Sequence, residues 1–178
     1  VKPYLFPMSS MTEEQKYDFY CRFIESDYGF DDFKEYYLDN DEATVKIREA
    51  FKQHIVRMFQ LFGYSEAESQ KKMESVMRIE TRIAEKSYSN VQLRDPAANY
   101  HKMTYAELKK EFKGIDWDLL FSTFGMEGVE EVDMNQPEPL HEVEAILANA
   151  SVEDLKNLML WQLIDANASS LTTEIDEA

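Results

Sequence analysis

The sequence predicts an all-α domain, a multi-helix orthogonal bundle with one long irregular loop and little or no strand. Three observations carry that expectation. Helix-start chemistry recurs along the chain, and apolar residues return at three- and four-residue intervals. The composition, 178 residues with 44% hydrophobic and 13% aromatic side chains, also supports one sizeable core.

In a capping box a Ser or Thr side chain accepts from the amide three residues on, while a Glu or Gln at that position accepts from the cap amide. Thr12-Glu13-Glu14-Gln15, Ser65-Glu66-Ala67-Glu68 and Thr104-Tyr105-Ala106-Glu107 fit this pattern, and Ser151-Val152-Glu153-Asp154 is a weaker, Asp-ended variant. Met103 before the Thr104 cap and Leu108 after it are placed for a hydrophobic staple.

Taken in order, Met11 to Asp27 reads as an amphipathic helix with Phe19, Tyr20 and Phe23 on adjoining faces. From Asn40 onward, Ile47, Phe51, Ile55, Met58 and Phe62 form an apolar face that ends at Gly63, a C-terminal stop. The next helix runs from Ser65 to about Tyr88 with Met73, Val76, Met77, Ile83 and Ala84 inward, so the two make an antiparallel hairpin. Further helices are expected over about Tyr105 to Phe112, Asp118 to Phe124, Pro139 to Asn149 and Val152 to Ala168, the last with Leu155, Leu158, Met159 and Leu163 on one face.

Two segments resist a helical reading. Ser89 to Met103 has no period, and a connection of that length inside a domain is pinned or functional. Val129 to Met134 alternates, which predicts a short extended piece before the prolines. The last residues, Thr172 to Ala178, read as a helix start.

Charge and cysteine count exclude several functions. Nineteen Lys and Arg against 35 Asp and Glu give a formal charge of −16, which repels nucleic-acid backbones and anionic lipid surfaces. No apolar stretch reaches a membrane span, so neither nucleic acid nor membrane is expected as a partner of this segment. Cys21 is the one cysteine, which rules out an internal disulfide and the zinc sites built on several cysteines; beside Tyr17, Tyr20 and Phe23 it reads as an inert small hydrophobe.

No catalytic residue and no metal ligand is assigned. A peptidase zinc site on a helix needs His-Glu-x-x-His, and the sequence contains none; His54, His101 and His141 have no second histidine within a turn. His54 lies beside the apolar stripe and reads as a core or boundary histidine, while His141 with Glu144 reads as a surface pair. Glu80, four residues from both Val76 and Ala84, falls on the inward face of its helix, where an unpaired carboxylate is costly. It needs a partner: Arg94 from the long connection first, Arg48 on the facing helix second. An acid/base role for Glu80 is the alternative to this ion-pair clamp. Asp95 and Asn99 have short side chains suited to bonding nearby amides and bracing the loop.

The run Arg94-Asp95-Pro96-Ala97-Ala98-Asn99-Tyr100-His101-Lys102-Met103-Thr104 resembles the non-catalytic, helical N-terminal region of the neprilysin family of zinc metallopeptidases. Glu35-Tyr36-Tyr37-Leu38, Lys46-Ile47-Arg48 and Gln136-Pro137-Glu138 resemble further elements of that family, in the same order. The resemblance covers residues 35–178, expected as a helical cap domain; residues 1–34 do not match and are expected as a divergent N-terminal helical segment. It implies a parent zinc endopeptidase acting on short peptides outside the cytoplasm, with zinc in its catalytic domain and none here. The implied partner is that catalytic domain of the same polypeptide, facing the cap across an enclosed cavity that restricts substrates by size. In the family the segment from Arg94 is scaffold, and no substrate-binding residue carries over. A stand-alone acidic helical interaction module is the alternative reading.

Overall fold

The computed structural model describes residues 33–172 and Ile175. Among these the elements follow as α1 (Phe33–Leu38), α2 (Glu42–Leu61), α3 (Glu66–Lys86), α4 (Asn90–Leu93), β1 (Lys102–Thr104), α5 (Tyr105–Glu111), α6 (Trp117–Thr123), β2 (Glu131–Asp133), α7 (Pro137–Asn149) and α8 (Val152–Asn167), closed by a 3-10 turn at Ala168–Ser170. Helix dominates and the strands form a single small pair, so the chain adopts the mainly helical class that its sequence predicts. The expected helix over Met11 to Asp27 and its Thr12 cap lie outside the described residues, as does the tail after Thr172 except for Ile175.

The chain divides into two compact units. The first joins Lys34–Lys86 to the chain from Asn149 onward and contains α1, α2, α3 and α8. Asp41 starts α2 by accepting from the amides of Ala43 and Thr44, each at 3.0 Å, which places a carboxylate on the positive end of the helix. The helix stops at Gly63, whose φ of 90° is the left-handed conformation that glycine adopts without strain. Ser65 and Glu68 then form the expected reciprocal cap: the Ser65 amide donates to Glu68 at 2.9 Å and the Glu68 amide to the Ser65 hydroxyl at 3.3 Å.

Ile55, Met58 and Phe59 of α2 are fully buried against Met73, Val76, Met77, Ile83 and Ala84 of the buried face of α3. The α2 stripe is shorter than its spacing suggests, because Ile47 and Phe62 at its two ends are exposed while Phe59, which the stripe did not include, is buried. Trp161 of α8 completes this core, with ring centroids 5.9 Å from Phe51, 6.3 Å from Phe59 and 5.8 Å from His54. Buried aromatics in edge-to-face contact contribute through area and ring electrostatics together. Here the sequence reading of α8 is corrected: its core face is Asn157, Trp161 and Ile164, while Met159 and Leu163 are exposed.

The second unit is built from Ser87–Ala148. Strands β1 and β2 pair antiparallel with Met103 opposite Val132, so the alternating segment forms the extended piece expected of it. Its partner strand lies at the end of the aperiodic connection. Thr104 ends β1 and caps α5, accepting from the Glu107 amide at 3.2 Å while Glu107 accepts from the Thr104 amide at 2.8 Å. Leu108, Phe112, Trp117, Phe121, Val132 and Met134 form the core, with Met103 packed against it as the staple requires. The Trp117 indole N–H donates to the Phe112 carbonyl at 2.8 Å, which satisfies the one polar atom of a buried ring.

Candidate functional site

Four residues stood out in the sequence as a structural clamp: Glu80, Arg94, Asp95 and Asn99. Glu80 lies in the first unit, the other three in the second.

Glu80 is only 6% exposed, on the inward face of α3. Its hydrogen-bond donor is the hydroxyl of Tyr37, itself 7% exposed, from the Tyr-Tyr-Leu element in α1. Burial pushes the Glu80 carboxyl up to about 7; the Tyr37 hydrogen bond opposes the shift and the Asp165 carboxylate adds to it. Burial likewise raises the Tyr37 phenol above its ordinary value. Arg48, the alternative partner on the facing helix, is used otherwise. Its Nη1 donates to the carbonyls of Tyr36 at 3.1 Å, Tyr37 at 2.8 Å and Asp39 at 3.1 Å, which satisfies the open C-terminal end of α1. The Tyr-Tyr-Leu element is thus held twice, by Glu80 through a side chain and by Arg48 through backbone oxygens. No sequence rule pairs a tyrosine with a carboxylate at this separation, so the Tyr37 contact had no signal.

In the second unit the connection after Ser87 is pinned by its own polar groups. Ser89 and Gln92 form a further reciprocal cap, with the Ser89 amide donating to Gln92 at 2.9 Å, inside the stretch whose lack of period predicts a loop. Arg94 caps the end of α4 and is exposed. Asp95 accepts from the amides of Ala97 and Ala98, each at 3.1 Å, and buried Asn99 donates from its side chain to the Gln92 carbonyl at 3.0 Å. The Gln-Pro-Glu element closes on the same stretch: the Tyr88 amide donates to Gln136 at 2.8 Å and its hydroxyl to Glu138 at 2.6 Å. Desolvation, followed by the Glu138 hydrogen bond, takes the Tyr88 phenol to about 12. Asp133 accepts from the His101 amide at 2.9 Å.

None of the histidines sits in a metal-ligand cluster among the described residues. His54 packs edge-on against Trp161. His141 stacks on Phe112 at 4.4 Å, with Glu111 3.3 Å from Nε2 and Glu144 3.6 Å from Nδ1. Glu144 also accepts from the Gly114 amide at 2.5 Å, so this carboxylate ties a turn to α7.

A groove of about 1030 Å³ runs along α2 and α3 and is bordered by Arg48, Lys52, Arg57, Arg78 and Arg82, with Glu49 and Glu74 among them. Its cations are engaged in the fold. Arg48 holds α1, Lys52 pairs with Glu49 at 2.7 Å, and Arg78 reaches Asp154 of α8, an aspartate held below its ordinary range by the Ser75 hydroxyl first and then by Ser151 and Arg78. Among the described residues no helix is long and apolar enough to cross a membrane. Among the described residues, the polar contacts named above fix a loop, a helix end or one helix against another.

Residues 22–178 match the N-terminal model of peptidase family M13. The chain belongs to that family. The match starts upstream of Glu35. Mouse neprilysin is 31% identical over 136 residues, which are 70% of this chain and 18% of neprilysin. Mouse endothelin-converting enzyme 1 is 25% identical over 154 residues, 82% of this chain and 19% of that protein. The zinc metalloprotease Zmp1 of Mycobacterium tuberculosis in its open state superposes with a TM-score of 0.76 at 30% identity, over 85% of this chain and 24% of Zmp1. Its complex with an inhibitor gives the same score and identity. The chain thus spans about a fifth of the length of the curated relatives it matches.

Proposed function

We propose that this chain is the helical cap of a zinc endopeptidase, a part that does no chemistry itself and instead controls which substrates reach the catalytic half of the same polypeptide. The observation that carries the reading is the match of residues 22–178 to the N-terminal part of family M13, in a sequence without His-Glu-x-x-His. Zinc belongs to the catalytic half, where it polarises the scissile carbonyl and activates water. The cap's contribution is steric: a rigid wall facing the active centre across an enclosed space admits short, flexible peptides and rejects folded proteins. Rigidity suits that task, and the doubly anchored Tyr-Tyr-Leu element and the self-braced loop from Ser89 provide it. An extracytoplasmic location is part of this reading.

The test is a size comparison with the full-length gene product. A short peptide should be cleaved, while the same sequence placed in a surface loop of a stably folded carrier protein should resist until the carrier is unfolded. Equal cleavage of both would reject the cap role.

A further inference from the structure

Helix α8 is apolar on two opposite faces. One face, with Trp161 and Ile164, is buried against α2 and α3. At about 3.6 residues per turn, Val152, Leu155, Met159 and Leu163 fall within an arc of roughly 80° on the other side. Val152 and Met159 are each 69% exposed and Leu163 is 62% exposed. A helix that is apolar all round is a buried helix, and large side chains aligned in one exposed stripe mark a contact surface. The unit's own core gives no use for this stripe, because Trp161 and Ile164 already fill that core from the other side of the helix.

A second copy is a poor occupant. The chain carries a formal charge of −16, so two copies brought face to face repel one another. The relatives indicate a better one. This chain corresponds to between 18% and 24% of neprilysin, endothelin-converting enzyme 1 and Zmp1, so most of a family M13 polypeptide lies outside the matched region.

We propose that the face formed by Val152, Leu155, Met159 and Leu163 is the surface on which the remainder of the same polypeptide docks, through apolar side chains of its own. The proposal rests on the reading of this chain as one part of a longer peptidase.

Methionine oxidation reads this face directly, because Met159 lies in the stripe while Met58 is fully buried in the core of the same unit. The full-length gene product is treated with hydrogen peroxide under native conditions and again in guanidinium, and sulfoxide formation is followed at each methionine by peptide mass spectrometry. The expected result is that Met159 oxidises at least about tenfold more slowly in the native protein than in the unfolded one, as Met58 does. That protection should be independent of protein concentration, with the protein monomeric by sedimentation. Met159 oxidising at the unfolded rate while Met58 stays protected overturns the proposal. Protection that vanishes on dilution together with a dimer also overturns it, in favour of a second copy. A gene product with no catalytic half removes both the occupant and the reading beneath it, whereas an active peptidase whose Met159 oxidises freely removes the docking face alone.

Discussion

The Tyr37 hydroxyl donates its hydrogen bond to the buried Glu80 carboxylate, joining α1 to α3 across 43 residues of sequence. This contact sets what removing Glu80 costs. Glu80→Ala removes the buried acceptor of the Tyr37 hydroxyl, and the expected loss in urea unfolding is about 1–3 kcal/mol. Glu80→Gln keeps an acceptor for Tyr37 and should lose less. Had Glu80 faced a buried arginine, truncation would cost roughly 3–5 kcal/mol, so a value in that higher range contradicts the tyrosine pairing.

The same carboxyl makes stability pH-dependent in an unusual direction. Its folded value, about 7, lies above the ordinary glutamate value of 4.5, so between these limits the folded state holds a proton that the unfolded state has released. Stability from Glu80 is therefore fully present below about pH 4.5 and is lost as pH rises through about 7, by up to roughly 3 kcal/mol. Measured against Glu80→Gln, which has no proton to lose, the wild-type chain should weaken from pH 5 to pH 8. A difference that stays flat or grows in favour of the wild type over that range contradicts a neutral, buried Glu80.

What was legible in the sequence was what short-range chemistry determines. The Ser65–Glu68 and Thr104–Glu107 caps need only three residues of sequence, and α3 has polar residues clearly separated from its apolar face, so its inward positions and Glu80 among them could be read. Helix α8 gave no such contrast. With apolar residues on both sides, the stripe holding Met159 and Leu163 looked like the core face, and only packing shows that Trp161 and Ile164 take that place. The partner of Glu80 was invisible for a different reason: pairing Tyr37 with Glu80 depends on how α1 returns onto α3, which no local pattern encodes. The Ser89–Gln92 cap was legible in principle and was missed because its helix is only four residues long.

The Thr104 cap joins strand β1 to helix α5, so its loss should be felt by both. Thr104→Ala removes the acceptor for the Glu107 amide, which lies 3.2 Å away. The expected cost is about 1 kcal/mol, read as a drop of roughly 2–4 °C in the melting temperature. Thr104→Ser, which keeps the hydroxyl, should restore most of it. An alanine variant that melts with the wild type contradicts the reciprocal cap.

Gly114 tests the turn tied down by Glu144. A Cβ built on Gly114 would sit 3.0 Å from Glu144 Oε1 and 3.4 Å from its Cβ, while the Gly114 amide donates to that same oxygen. Gly114→Ala should therefore displace Glu144 and cost about 1–2 kcal/mol through the weakened hydrogen bond. In a double-mutant cycle the penalty should shrink when Glu144 is already alanine. Additive effects would mean that the two residues act separately.

A non-catalytic cap requires that peptidase activity reside outside this chain. The decisive measurement compares hydrolysis of a short fluorogenic peptide by the full-length gene product and by the 178-residue chain alone, each with and without a zinc chelator. The expected result is chelator-sensitive cleavage by the full-length protein and none by the isolated chain. Chelator-sensitive cleavage by the isolated chain, persisting after removal of contaminating proteases, would contradict it, as would a full-length protein that binds no zinc and cleaves nothing.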